Sequence, residues 1–176
     1  FHVQPLSTDM VGYGLHDFPG LTMSTCQLRP ESRGEILLKT PDPFDAPAIH
    51  PNYLATETDR QTQIAGLRFS RRIASQKPLA EVIESEYVPG ADKASEAQLL
   101  EAVRTYSATI YHPVGTCKMG HDPMSVVDDR LRVRGIAGLR VVDASIMPTI
   151  TSGNTNAPTM MIAEKAAAMI KADREQ

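Results

Sequence analysis

GLRVVDASIMP (138–148), TITSGNTNAPT (149–159) and MMIAEKAAAMI (160–170) follow one another directly, and their order decides the fold. In the first, LRVVDA (139–144) carries Val141 and Val142 and ends in Asp143. A short β-branched run bounded by turn residues reads as a buried strand. The second segment is polar, with Ser152, Gly153, Asn154 and Asn156 marking a loop. The third is almost wholly Ala, Met and Ile, and reads as a helix. From Ala157 to Ala172 it would span roughly 24 Å. Its surface is apolar nearly all round, so burial is expected, and its small residues permit close approach to a sheet. A strand ending in an acid, a polar loop and a buried helix together form an α/β unit. Ligands bind at the edge where strand gives way to loop and helix.

Working upstream, VVDDRLRVRG (126–135) reads as a short strand and a turn, and TIYHPVGTCKMGHDPMS (109–125) as neither amphipathic nor low-complexity. Ser95 caps a helix, with Gln98 three residues on and Leu99, Leu100, Val103 and Tyr106 as its buried stripe, ending near Ala108. LAEVIESEYVPG (79–90) reads as a short amphipathic piece. Another helix begins near Thr56, with Asp59 at capping-box spacing and Ile64, Leu67, Arg71 and Ala74 on one face. Arg60, Arg68, Arg71 and Arg72 read as a solvated face. PDPFDAPAIHPNYL (41–54) holds four prolines and is expected to run as an ordered surface loop. RGEILLKT (33–40) and LTMSTCQLRP (21–30) are strand candidates, and residues 1–30 are punctuated by Gly12, Gly14, Pro19, Gly20 and Pro30. FHVQPLS (1–7) reads as the inside of a strand, so the expectation is a fragment or a processed chain.

Composition removes whole classes of function. The 176 residues are 41% hydrophobic and 22% charged, as expected of a globular chain with a sizeable core. A formal net charge of -3 leaves no electrostatic footprint for nucleic acid or anionic lipid. No apolar run approaches the ~18 residues of a membrane span. Two cysteines, Cys26 and Cys117, do not make a disulfide scaffold, and a reducing, cytoplasmic setting fits them.

The candidate chemistry is concentrated in two places. His112 lies between Tyr111 and Pro113, which restricts it to extended backbone angles, while Gly115 permits a sharp turn. An imidazole held on such a turn can take or release a proton near neutral pH; the plainer alternative is a histidine satisfied by local hydrogen bonds. Asn154 and Asn156 lie in SGNTNAPT (152–159). Asn156 reads either as the N-cap of the last helix or as a carboxamide facing a polar substrate atom. Asp143 reads as a turn cap or as a carboxylate accepting from cofactor hydroxyls. A zinc site from His112, Cys117 and His121 lacks the required ligand spacing, so no metal is expected. Cys26 and Cys117 read as buried thiols. Ser152, His112 and Asp143 compose a hydrolytic triad on paper, without a G-x-S-x-G elbow. G-x-G-x-x-G and the P-loop are absent, so a nucleotide site would be only half present.

YHPVGTCKMG (111–120) followed by VVDDRLRVRGIAGLRVVDASIMPTITSGNTNAPTMMIAEKAAAMI (126–170) resembles the C-terminal portion of the glucose–methanol–choline (GMC) oxidoreductases. The likeness is densest over residues 106–171 and points to the branch of choline dehydrogenase-like, FAD-dependent alcohol dehydrogenases. CQLRPESRGEILLKTPDPFDAPAIHPNYL (26–54) is similar to the family's upstream segment. The resemblance implies an α+β substrate domain, a sheet packed with helices, over residues 1–135. It implies that residues 136–176 return a strand and a helix to a Rossmann-like FAD domain of a larger enzyme. His112 matches the active-site base that takes a hydroxyl proton as hydride passes to flavin N5, and Asn156 its partner. Asp143, Ala144, Asn156, Ala157, Pro158 and Thr159 match cofactor-binding positions. The implied partners are a small-molecule alcohol and the N-terminal FAD-binding portion of the same protein, with a homo-oligomer also open. The fragment alone is expected to be inactive and to need that complement for stability. The competing expectation is a non-catalytic binding or assembly module that keeps the fold without flavin.

Overall fold

Thr56 opens the first helix by accepting the backbone N–H of Asp59 on its hydroxyl, and the chain then runs helically from Glu57 to Ala74 (α1). In the computed structural model, residues 1–9 and 14–174 are described, so Gly12 lies outside the described residues. The chain divides into two compact units, residues 1–27 with 53–109 and residues 28–52 with 110–176.

In the first unit, β1 (His2–Gln4) pairs antiparallel with β2 (Thr22–Ser24), Val3 lying opposite Met23. The strand expected over 21–30 is therefore three residues long. α2 (Glu96–Tyr106) begins with a complete capping box: the Ser95 hydroxyl accepts Gln98 N–H, and the Gln98 side chain accepts Ser95 N–H. Ile64 of α1 packs against Leu99 and Val103 of α2, with Leu54, Leu67 and Leu100 at the margin. Each such side chain contributes about 1.5–3 kcal/mol on burial. Gly66 lets the Thr25 side chain lie against α1, since a Cβ there would sit 2.6 Å from Thr25 Oγ1. Arg71 departs from the expected solvated face. Its guanidinium pairs with Glu86 at 2.8 Å and donates to the Lys93 and Gly90 carbonyls, at 2.6 and 2.9 Å, clamping residues 86–93. The amphipathic piece expected at 79–90 reduces to one 3-10 turn, Leu79–Glu81.

In the second unit, β3 (Glu35–Leu37) pairs antiparallel with β4 (Ala48–His50). β4 lies in the stretch expected to be all loop. Pro47 and Pro51 bracket it, and an edge strand between prolines keeps its own N–H groups for pairing. Residues 126–144 do not form the two expected strands. They are tied by single bridges, Met119 to Val127, Val127 to Val133 and Arg132 to Arg140. No neighbouring strand takes up the remaining N–H and C=O groups of 139–144 among the described residues, and a strand without a partner does not persist. A 3-10 turn at Ala144–Ile146 follows, and α3 spans Asn156–Arg174. The core gathers Val127, Leu131, Ile146, Met147, Ile162 and Ala166.

α3 is not buried all round. Only Ile162 and Ala166 are buried, while Met160 and Met161 are 57% and 56% exposed. This unit covers one face of the helix and leaves the other open. Near its C-terminus Asp173 pairs with Arg130 and Arg140. The two cations, Arg140 first, hold that carboxyl below its usual range and offset its unfavourable place at a helix C-terminus. No described helix is long and apolar enough to cross a membrane.

Candidate active site

The segment around His112 is fixed from both ends. Tyr111 holds φ 63°, in the left-handed region that non-glycine residues seldom enter, and Pro113 constrains His112 from the other side. Gly115 turns at φ 88°, and a Cβ there would come 3.2 Å from the Met147 carbonyl. Cys117 N–H then donates to the Ser145 carbonyl at 3.0 Å and Met119 N–H to the Ile146 carbonyl at 2.8 Å. The histidine loop is thereby pinned to the 3-10 turn. Gly115→Ala is expected to destabilise this unit by about 1–2 kcal/mol through its left-handed backbone, read as a lower denaturation midpoint.

His112 is half-buried, and its Nδ1 lies 2.9 Å from the Thr155 hydroxyl and 3.4 Å from Thr155 N. The expected local satisfaction of this histidine is thus real at one nitrogen, and its partner lies 43 residues away. Thr155 is 8% exposed. Its carbonyl accepts Thr159 N–H at 3.0 Å, the first bond of α3, so Thr155 and not Asn156 occupies the N-cap. Asn156 is the first helical residue and is exposed, with no side-chain hydrogen bond among the described residues. Its carboxamide is therefore free to meet a ligand, which an N-cap role would have prevented. His112 and the start of α3 are one corner of the fold.

The remaining expected positions divide by what they offer. Asp143 is exposed, and its Oδ1 accepts Ser145 N–H at 2.7 Å, capping the 3-10 turn. Oδ2 meets no protein donor among the described residues. The Ala144 side chain packs against the core, which leaves its backbone as the available contact. Ala157 is exposed and Pro158 half-buried. The Thr159 hydroxyl donates to the Thr155 carbonyl at 2.6 Å. The first turn of α3 contains no acidic residue. Its open backbone N–H groups therefore face no competing carboxylate and fit an electron-rich or anionic group. The Thr151 hydroxyl, four residues before the N-cap, is buried without a partner among the described residues.

The paper triad does not assemble as a proton relay. Asp143 is committed to Ser145 and the Nδ1 of His112 to Thr155. Among the described residues no group of three or more His, Cys, Asp or Glu is placed to hold a metal ion. Cys26 and Cys117, expected to be buried thiols, are free and half-buried. Further along the histidine loop, the Lys118 ammonium and the Ser125 hydroxyl hold the Asp122 carboxyl down at about 2. It stays ionised throughout the range in which a histidine titrates. Sequence reasoning passed over Thr155. The available signal was a threonine just before a helix whose third residue is proline.

Comparison with known proteins places this corner in context. Residues 30–163 match the family described as GMC oxidoreductase. An alcohol dehydrogenase [acceptor] from Pseudomonas putida is 50% identical over 160 residues, covering 91% of this chain and 28% of the relative. An oxygen-dependent choline dehydrogenase from Cronobacter sakazakii is 44% identical over 171 residues, covering 97% of this chain and 31% of the relative. Among solved structures, a formate oxidase from Aspergillus oryzae RIB40, described for its FAD modification, superposes with a TM-score of 0.79 at 34% identity, covering 84% of this chain and 26% of that one. The chain thus spans about three-tenths of the length of the two curated relatives, at 28% and 31%. Both its matched residues and its similarity to these proteins lead to one conclusion: this chain belongs to the GMC oxidoreductase family.

Proposed function

We infer that this chain forms the substrate-side part of an FAD-dependent alcohol oxidoreductase that converts a primary alcohol to an aldehyde. The observation that carries the reading is the corner itself. A half-buried histidine with one nitrogen bonded within the protein is tied to a helix start whose first side chain, Asn156, is free. Relatives named for alcohol and choline oxidation cover more than nine-tenths of the chain.

FAD, when bound, supplies the hydride acceptor at flavin N5. The other roles fall to the residues of this chain. His112 takes the substrate hydroxyl proton on Nε2, the nitrogen not engaged by Thr155. Asn156 donates from its carboxamide to the substrate oxygen; it has no titratable proton at neutral pH, so the base role rests on His112 alone. The N–H groups of Asn156 and Ala157 favour an electron-rich ring edge by about 0.3–1 kcal/mol, with Pro158 and Thr159 lining the same turn. Asp143 Oδ2 would accept a cofactor hydroxyl, with the backbone of Ala144 available to the same group. Residues 1–135 act as the substrate domain and 136–176 complete the FAD domain, against an N-terminal FAD-binding portion of the same protein.

The test is made on the full-length protein. Its visible spectrum, before and after denaturation, should show a flavin band, and that band should bleach when a primary alcohol is added without oxygen. A protein without flavin, or one whose flavin no alcohol bleaches, would overturn the reading and favour a non-catalytic assembly module.

A further inference from the structure

Thr155 lies between the two residues the proposed chemistry uses, and its hydroxyl is oriented unusually for its position. A threonine N-cap ordinarily turns its oxygen to the N–H of the second or third helical residue. Here the third is Pro158, which has no N–H. The hydroxyl reaches His112 Nδ1 at 2.9 Å instead. Thr155 is 8% exposed, so water competes little for that bond.

A neutral imidazole carries one proton, on Nδ1 or on Nε2. The two contacts at Nδ1 favour opposite forms. The backbone N–H of Thr155 can only donate, and so favours a bare Nδ1 with the proton on Nε2. The hydroxyl can accept, and so allows Nδ1–H with a lone pair on Nε2. The hydroxyl contact, at 2.9 Å, lies at the middle of the ordinary hydrogen-bond range, while the backbone N–H reaches Nδ1 at 3.4 Å, the longer and weaker of the two bonds. Once Nε2 takes a proton, both ring nitrogens carry hydrogen. Only an acceptor beside Nδ1 tolerates that state.

We propose that Thr155 is a positioning residue that sets the tautomer of His112: its hydroxyl accepts Nδ1–H and leaves the Nε2 lone pair for the substrate. This rests on the reading of His112 as base. In the step it serves, the substrate O–H bond breaks and an Nε2–H bond forms. The O–H electron pair stays on the substrate oxygen, and Nδ1–H remains bonded to Thr155.

The experiment compares Thr155→Val, which keeps the shape and loses the hydroxyl, with Thr155→Ser, which keeps the hydroxyl, in the full-length FAD-loaded enzyme. Nitrogen-15 signals of labelled His112 report the tautomer in the resting state without any turnover. The wild type should show Nδ1–H when neutral, and the valine variant Nε2–H. Without an acceptor for Nδ1–H the doubly protonated ring is disfavoured, so the acid limb of kcat/KM for a primary alcohol moves to lower pH. The plateau of that profile falls by roughly 10- to 100-fold, a fraction of the 10²–10⁴ that losing a base costs. Serine should restore the wild-type tautomer and limb. An Nε2–H signal in the neutral wild type overturns the proposal even if the valine variant does not fold. So does a valine variant with the wild-type tautomer and acid limb, or a serine variant that behaves like valine. Failure of the base reading shows separately, as alcohol-dependent flavin reduction that survives loss of His112.

Discussion

His112→Ala in the full-length enzyme is expected to slow alcohol-dependent flavin reduction by about 10²–10⁴-fold, the range for loss of a positioned general base. No other ionisable side chain in the described corner takes over. Asn156 has no titratable proton at neutral pH, and His112 Nδ1 bonds Thr155 and not Asp143, whose Oδ1 is held by Ser145 N–H. Alanine also strands the buried Thr155 hydroxyl, at a cost of about 1–3 kcal/mol. His112→Gln separates the two effects, because its carboxamide can still meet Thr155 while offering no base. The glutamine variant should match wild type in melting temperature and flavin content, yet be slowed nearly as far as alanine in stopped-flow reduction. Reduction at wild-type rate in either variant would remove His112 from the chemistry.

Ile146→Ala carries the second large effect, on stability. Ile146 is 4% exposed within the core formed with Val127, Leu131, Met147, Ile162 and Ala166. Deleting its outer carbons loses burial and leaves a cavity, together worth about 2–5 kcal/mol. Ile146→Val removes one methylene and should cost about 0.5–1.5 kcal/mol. The position matters for function because the carbonyls of Ser145 and Ile146 anchor the N–H groups of Cys117 and Met119. Loosening the 3-10 turn therefore loosens the histidine loop. Urea unfolding should rank the variants as wild type, valine, alanine in falling midpoint. Ile136→Ala, at a side chain 56% exposed, should stay within about 0.5 kcal/mol of wild type. A midpoint for Ile146→Ala equal to that of Ile136→Ala would show that this core does not hold the unit together.

What could be read from the residues was what they determine locally. Ser95 and Gln98 specify a capping box through four consecutive residues, and the structure forms it. Thr56 likewise opens α1, and Pro113 stiffens the histidine loop while Gly115 lets it turn, wherever it sits. Features that depend on distant partners were less legible. LRVVDA (139–144) has strand composition, but a strand also needs a neighbour to bond, and only Arg140 finds a bridge here. The pairing of β4 with β3 was hidden because four prolines in fourteen residues read as loop, although prolines exclude helix more strictly than they exclude an edge strand. The apolar sequence of α3 implied burial all round; the second unit fully buries Ile162 and Ala166 and leaves most of the helix surface exposed or half-buried. In the site, His112 and Asn156 were picked out by residue type and motif, and the structure links them through Thr155. That link joins residues 43 positions apart, and Pro158 offers no N–H to compete for the Thr155 hydroxyl.

The most direct measurement is the anaerobic bleaching of flavin in the full-length protein, with a primary alcohol carrying either hydrogen or deuterium at C1. The account predicts that both alcohols bleach the flavin and that deuterium slows the bleaching several-fold, because the C1–H bond breaks as His112 takes the hydroxyl proton. Flavin left unbleached by alcohols, or bleached at the same rate by both with the chemical step rate-limiting, would contradict it.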